Sequence, residues 1–395
     1  MRGLEIGFWA SFVIVFYAFL GYGIVLYIMV RIKRIVQPIN KKAEIIFEPE
    51  ISLVISCFNE ADVIAGKIAN CKQLNYPSNK LTIIFIIDGS TDNSEMVLKA
   101  WPEIKVLHQN RWSSKTASRN RAMKFITTPF VIFSDVNTLL NTDAVKNLMK
   151  HFVDNNIGCV SGEKRLINNG AYDASVSGES IYRKYESFLT KLDSELYSAV
   201  GATGELVAFR TDLYIELPED TLLDDFMESM QIAAAGHKIL YDPEAYAVKT
   251  ASSNVAEELK RRVHICAGGW QAIIRLWSKL SMRKTPWLFF QYFSHRVLRW
   301  TITPFLMIVM FVLNMRMGLD GNKFYQLMMG AQVLFYSAAI VGIILENRHL
   351  RFRPVFVPYY FCLMNYAVLL GLQIYISGQQ KLNWAGAQRK VVSPN

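Results

Sequence analysis

Charge-free apolar stretches and short β-branched runs divide this chain into two kinds of territory. Residues 7–30, GFWASFVIVFYAFLGYGIVLYIMV, hold no charged side chain over 24 positions. That is enough for a helix to cross a hydrocarbon layer about 30 Å thick. Three further apolar runs crowd the C-terminal end, at 297–315, 324–345 and 354–377. Between the two territories the period changes. ISLVISC (51–57), LTIIFII (81–87), IKVLH (104–108) and FVIFS (130–134) are short, β-branched and apolar at nearly every position, as strands buried on both faces are. Helical spacing follows in ADVIAGKIANCKQL and again from about 115 to 127. Strands alternating with helices predict right-handed crossovers and a mostly parallel sheet.

The expected organisation is an N-terminal anchor (1–35), an α/β domain (50–280), an amphipathic interfacial segment (281–296), membrane helices (297–378) and a basic tail (379–395). The interfacial reading rests on Arg283, Lys284 and Arg296 interleaved with Trp287, Phe289 and Phe290, a mixture suited to the headgroup layer. RIKRIVQPINKK follows the first span and ENRHLRFRP separates the last two. Both carry the basic excess expected on the cytoplasmic side. A signal peptide would put its positive end first. Counting spans puts the tail outside, whereas GQQKLNWAGAQRK is basic like a cytoplasmic segment. The sequence leaves both placements open.

Charge and cysteine usage narrow the class. The formal net charge is +10 over 395 residues, explained by membrane-flanking segments and a phosphate-bearing ligand. No recognised module interleaves basic and aromatic residues, so no nucleic-acid partner is expected. Cys57, Cys71, Cys159, Cys266 and Cys362 show no C-x-x-C spacing and read as reduced packing residues of a cytoplasmic domain.

The candidate chemistry has one address. Asn59, Asp88 and Asp135 each stand at the carboxyl end of an expected strand, where open α/β sheets bind ligands. Neither G-x-G-x-x-G after the first strand nor G-x-x-x-x-G-K-[ST] occurs, which argues against a dinucleotide oxidoreductase or a P-loop enzyme. Asp135 and Asn137 are two residues apart, so on extended backbone both face one way. Their oxygens suit Mg²⁺ or Mn²⁺ bridging to a diphosphate, although Asn137 could instead hold a metal-bound water or a sugar hydroxyl. Asp224 and Asp225 open a helix, one more acid than capping needs. Such a carboxylate can take a proton from an attacking hydroxyl, typically worth ~10²–10⁴ in rate. His108, His237 and His295 are expected to be surface or headgroup contacts.

SCFNEADVI, IIDGSTDNS, FSDVN, GATGELVAFR, LLDDFMESMQIAAAGHKILYDPEA and RRVHICAGGWQ occur in one order over residues 50–275. This series resembles the family 2 glycosyltransferases, in the membrane-bound branch of cellulose, hyaluronan and poly-N-acetylglucosamine synthases. KLNWAGAQRK is similar to that branch's tail. The resemblance implies a GT-A fold, a UDP-sugar donor and inversion at the anomeric carbon. It implies that Asn59, Glu60 and Asp88 hold the uridine and that Lys115 lies near the nucleotide. Asp135 with Asn137 would bind metal and diphosphate, and Asp225 would be the general base beside Asp224. Gly201, Ala202, Thr203 and Gly204 would lie beside the acceptor, Arg262 would meet the leaving diphosphate, and Trp270 would stack on the acceptor.

Two departures count. Ile87 replaces the first acid of the family's D-D-G-S, which puts uracil recognition in doubt. Arg261, His264 and Ile265 replace signature residues of Q-x-x-R-W, which weakens the expectation of long-chain synthesis. The expected function is transfer of a sugar to a saccharide or lipid-linked acceptor at the inner membrane, surrounded by membrane lipids. A homo-oligomer or export partner is expected if chains are exported. The alternative from another class is a membrane sensor or transport subunit that binds nucleotide without turning it over.

Overall fold

The structure is a computed structural model and describes residues 2–37, 46–167, 174–250, 255–348 and 352–378. The tail 379–395, with its Trp-containing motif, and Arg351 lie outside the described residues.

The apolar runs form a sheet because both of their faces can be covered. β1 (Ile51–Cys57) is buried at every position. It pairs in parallel with β2 (Leu81–Asp88) and β4 (Phe130–Asp135), and β2 pairs in parallel with β3 (Lys105–Gln109). The sheet continues through β5 (Leu139–Leu140), β6 (Ile157–Ile167), β7 (Leu206–Arg210) and β8 (Lys238–Thr250), in the spatial order β3-β2-β1-β4-β7-β6-β8-β5. β7 is antiparallel to β4 and β6, and β5 is antiparallel to β8. Among the described strands those two alone run against the rest, a mostly parallel sheet as expected.

Alternate residues of β1 feed two cores. Leu53, Ile55 and Cys57 pack with Ile64, Ile68 and Leu148 on one face. Val54 packs with Phe133, Met230 and Leu276 on the other. The second core runs on through Leu288 and Tyr292 to Val297, so the first C-terminal membrane helix is rooted in the α/β domain.

Among the described residues four helices are long and apolar enough to cross a membrane: Arg2–Val36, Pro286–Leu319, Lys323–Glu346 and Pro354–Ser377. The chain is a multi-pass membrane protein. The segment expected to stand apart at 281–296 is instead largely taken up by the second of these. Pro286 stands in its first turn, where proline's fixed φ favours helix, and no break separates Tyr292 from Thr303. Its inward face is buried against the domain.

A buried polar knot fastens the two territories. Tyr22 of the first membrane helix donates to Asp193 on the helix Ala174–Leu196. Gln291 Nε2 donates to Asp193 Oδ1 at 3.0 Å. His295 lies between Asp193 (2.6 Å) and Glu186 (3.3 Å). Arg299 donates to Glu186 at 2.5 Å and to the Ala18 carbonyl at 2.8 Å. His295, expected as a surface or headgroup contact, is 1% exposed. Its surroundings were invisible in the sequence because both acids lie about a hundred residues away.

Candidate active site

Local sequence sets the frame. Ser114 caps the helix Lys115–Met123 by accepting from the Ala117 N–H at 3.1 Å, a standard N-cap contact. Its hydroxyl also donates to the Glu219 carbonyl (2.7 Å), and Thr116 donates to the Thr221 carbonyl (3.1 Å). This stitches the helix to the segment that enters Asp224–Ala234. Gln271 closes the other side, accepting from the Leu222 N–H (3.0 Å) and donating to the Asp220 carbonyl (2.9 Å). Asp224 and Asp225 are thereby held, 6% and 9% exposed, against the tips of the sheet.

Lys115 joins the expected groups. Its Nζ lies 3.2 Å from Asp135 Oδ1, 3.5 Å from Asp225 Oδ2 and 3.9 Å from Asp224 Oδ2. Arg119, one helical turn further and 1% exposed, pairs with Asp225 and lies 3.3 Å from both Asp224 and Glu228. Lys249 at the end of β8 donates to Asp135 Oδ2 at 3.1 Å. Lys164 pairs with Glu205. Arg119, Lys249, Lys164 and Glu228 were not singled out from the sequence. A lone Arg in a helix and lone Lys residues in strands resemble solvated positions, and only the sheet order brings them together.

The electrostatics separate the two aspartates. Burial and Asp224 lift the Asp225 carboxyl above its ordinary range, although Arg119 and Lys115 oppose them. For Asp224 burial acts the same way, but Arg119 and Lys115 win and hold it low. Burial is likewise overcome at Asp135, where Lys115 and Lys249 hold the carboxylate far below its usual range. Two adjacent acids pushed in opposite directions match a division between a proton acceptor and a fixed charge.

Gly204 lies against the proton-accepting candidate. A methyl there would overlap Asp225 Oδ2, and one on Gly201 (φ +85°) would overlap the Phe226 ring. The loop between them is pinned. Ala202 N–H donates to Ser229 Oγ (2.9 Å), Thr203 N–H to Ser161 Oγ (3.0 Å), and Thr203 Oγ1 to the Gly162 carbonyl (3.0 Å). The loop 201–204 is thereby held with Gly204 against Asp225 and Gly201 against Phe226.

The remaining expected residues have other partners. Asp88 is 4% exposed. It accepts from Ser113 and Ser118, each at 2.6 Å, and pairs with Arg121. It shares the helix 115–123 with the Lys115 cluster but not its contacts. Asn59, at φ +50°, ties the β1 tip to the β2 turn, accepting from the Thr91 N–H at 2.7 Å. Asn137 donates to Glu60 at 2.6 Å. Its Oδ1 is buried without a partner, so this amide oxygen and the Asp135 carboxylate are the donors that the two positions offer a cation. Both are hard donors that fit Mg²⁺ or Mn²⁺, and incoming ligand oxygens would have to complete the set. Arg262, expected at the leaving diphosphate, is instead held by Glu258 (2.6 Å) and donates to Tyr360 of the last membrane helix at 3.0 Å. The i,i+4 spacing to Glu258 makes that pairing local. Trp270 keeps a buried Nε1–H without a partner.

Comparison with known proteins follows from this geometry. Residues 52–217 match the family model described as Glycosyl transferase family 2. The chain is similar to poly-beta-1,6-N-acetyl-D-glucosamine synthase of Staphylococcus aureus (strain MSSA476), 26% identical over 269 residues, with 64% of this chain and 63% of that protein covered. The Staphylococcus epidermidis synthase is 24% identical over 245 residues, covering 59% and 58%. The chain thus spans less than two thirds of the length of these curated relatives. In fold it is similar to a mannosyltransferase from Pyrobaculum calidifontis solved with GDP-Man and Mn²⁺, with a TM-score of 0.70 and 20% identity over 95% of this chain and 99% of that one.

Proposed function

We propose that this chain, whose residues 52–217 match the family 2 glycosyltransferase model and which is similar to poly-beta-1,6-N-acetyl-D-glucosamine synthases, moves a sugar from a UDP-sugar to a saccharide or lipid-linked acceptor at the cytoplasmic face of the inner membrane, with inversion. The observation that carries the reading is Asp225, a buried carboxylate of raised basicity beside the flat face of Gly204 and 3.5 Å from the Lys115 that also holds Asp135.

In this reading Lys115 and Lys249 leave Asp135 in part to meet the donor's diphosphate. Asp135 and Asn137 would hold a divalent ion, which neutralises charge growing on the departing diphosphate. The mannosyltransferase solved with GDP-Man and Mn²⁺ supports both groups. The acceptor oxygen forms its bond to the anomeric carbon as the carbon–phosphate oxygen bond breaks on the opposite face, and the hydroxyl proton passes to Asp225. Asp224, kept ionised, holds Arg119 in place. The loop 201–204 borders the acceptor, and the indole N–H of Trp270 offers it a donor.

The test is incubation of the full chain in membranes with labelled UDP-sugars and GDP-mannose, with Mg²⁺ or Mn²⁺. Transfer from a UDP-sugar is expected. Asp225→Asn should lose about 10²–10⁴ in turnover and keep nucleotide binding. A donor bound but never consumed would favour a nucleotide sensor. An active Asp225→Asn chain would remove the base assignment.

A further inference from the structure

Beneath Asp135 lies a cation that the reaction just described does not use. Lys67, on the helix Ala61–Lys72, is 0% exposed. Its Nζ donates to Ser134 Oγ at 2.8 Å and to the Thr138 carbonyl at 2.9 Å, with Thr138 Oγ1 at 3.4 Å. Every one of these acceptors is neutral. Among the described residues no carboxylate lies within ion-pair distance of Lys67. Buried lysines are ordinarily paired or neutral. Burial pulls this one down to about 8, with Cys71 and Asp135 opposing.

The partners mark the two ends of one turn. Ser134 precedes Asp135, and Thr138 follows Asn137. The turn is tightened from within, since Thr138 Oγ1 donates to the Asp135 carbonyl at 2.8 Å. Ser134 Oγ reaches the Glu205 carbonyl at 3.2 Å. The same helix continues the grip through Asn70, which donates to the Leu140 carbonyl and accepts from the Leu140 N–H, both at 2.8 Å. A methionine of similar length would fill this space without the cost of desolvating an ammonium, which is several kcal/mol per buried ion. Packing alone does not call for a lysine here.

We infer that Lys67 is a positioning residue for donor binding: it closes the turn 134–138 so that Asp135 and Asn137 present their oxygens to a nucleoside diphosphate, and it sets a fixed positive charge behind them. This rests on the proposed function. A bound diphosphate supplies the negative charge that the lysine lacks in its own shell.

The experiment compares wild type, Lys67→Met and Lys67→Arg as full chains in detergent. UDP and GDP are titrated by calorimetry with and without Mg²⁺, alongside thermal unfolding and donor kinetics. For Lys67→Met the expected result is an unfolding temperature at or above wild type. Affinity for the nucleotide should fall at least tenfold (about 1.4 kcal/mol), donor KM should rise in step, and kcat should change less than threefold. Lys67→Arg should recover part of the affinity. A folded Lys67→Met chain with wild-type affinity overturns the inference. So does one whose affinity is kept while only its unfolding temperature falls. Should Lys67→Met fail to fold, Ser134→Ala takes its place: affinity at least threefold weaker supports the inference, and unchanged affinity overturns it. A wild type that binds neither nucleotide overturns the proposed function and this inference together, whereas binding that is indifferent to Lys67 overturns this inference alone.

Discussion

Replacing Arg119 by methionine isolates the electrostatics of the acidic cluster. The guanidinium is 1% exposed, lies 4.4 Å from the Phe133 ring centroid, and reaches Asp224, Asp225 and Glu228. Methionine keeps most of the apolar contact and removes the charge. Leaving a buried charge unpaired costs about 3–5 kcal/mol. Two responses lower the figure here. Lys115 stays 3.5 Å from Asp225, and Glu228 can take a proton. The expected loss is therefore about 3 kcal/mol, the low end of that range. At about 2–4 °C per kcal/mol for a domain of this size, the unfolding temperature should fall by roughly 6–12 °C. The deficit should also depend on pH. Without Arg119 the carboxyls of Asp225 and Glu228 rise further above their unfolded values, near 4. The folded variant then binds protons that the unfolded chain releases, so its stability falls as pH rises from 5 to 8. The assay is thermal unfolding of the full chain in detergent, followed by tryptophan fluorescence at pH 5, 6.5 and 8. A deficit below about 1 kcal/mol, or one equal at all three pH values, would show that Arg119 does not carry the charge balance of the site.

Three further outcomes are expected. Glu228 is lifted to about 8 by burial, with Arg119 opposing and Asp224 and Asp225 reinforcing; wild-type stability should therefore decline between about pH 4.5 and 8, and Glu228→Gln should flatten that slope in a pH series of unfolding temperatures. Gly204→Ala sets a methyl against Asp225 Oδ2 and should cut kcat by about 10², the scale of a small misplacement at a reacting centre, with donor affinity kept; near-normal turnover would move the base elsewhere. Arg262→Met should lower the unfolding temperature through the loss of Glu258 and Tyr360 while donor KM stays within about twofold, and a tenfold rise in KM would return Arg262 to the diphosphate.

What could be read from the sequence was what local pattern dictates. β1, β2 and β4 are apolar at most positions because both faces are covered, and that pattern survives without knowing their neighbours. Asp135 and Asp225 were findable because strand ends and helix starts have a fixed place in such sheets. β6 was not read as a strand, because IGCVSGEKRLI mixes glycines and charges; it turns Glu163 and Lys164 toward polar partners. Arg119 and Lys67 were hidden for one reason. Each sits in an ordinary helical pattern, and its burial comes from elements far along the chain. His295 was misjudged on the same ground, since only the packing of Ala174–Leu196 against two membrane helices encloses it. Arg262 meets Glu258, four residues earlier, and Tyr360 of the last membrane helix, the second of which no local pattern could foretell.

The knot around Asp193 and Glu186 makes the chain indivisible. Cutting the chain near residues 40 and 280 to free a soluble part would strip Asp193 of Tyr22, Gln291 and His295, and Glu186 of its arginines. The helix that bears these acids runs directly into the loop that flanks Asp225. Loosening it at the bilayer would be felt at the Asp225 cluster, so the lipid-facing helices belong to the candidate site as much as the sheet does.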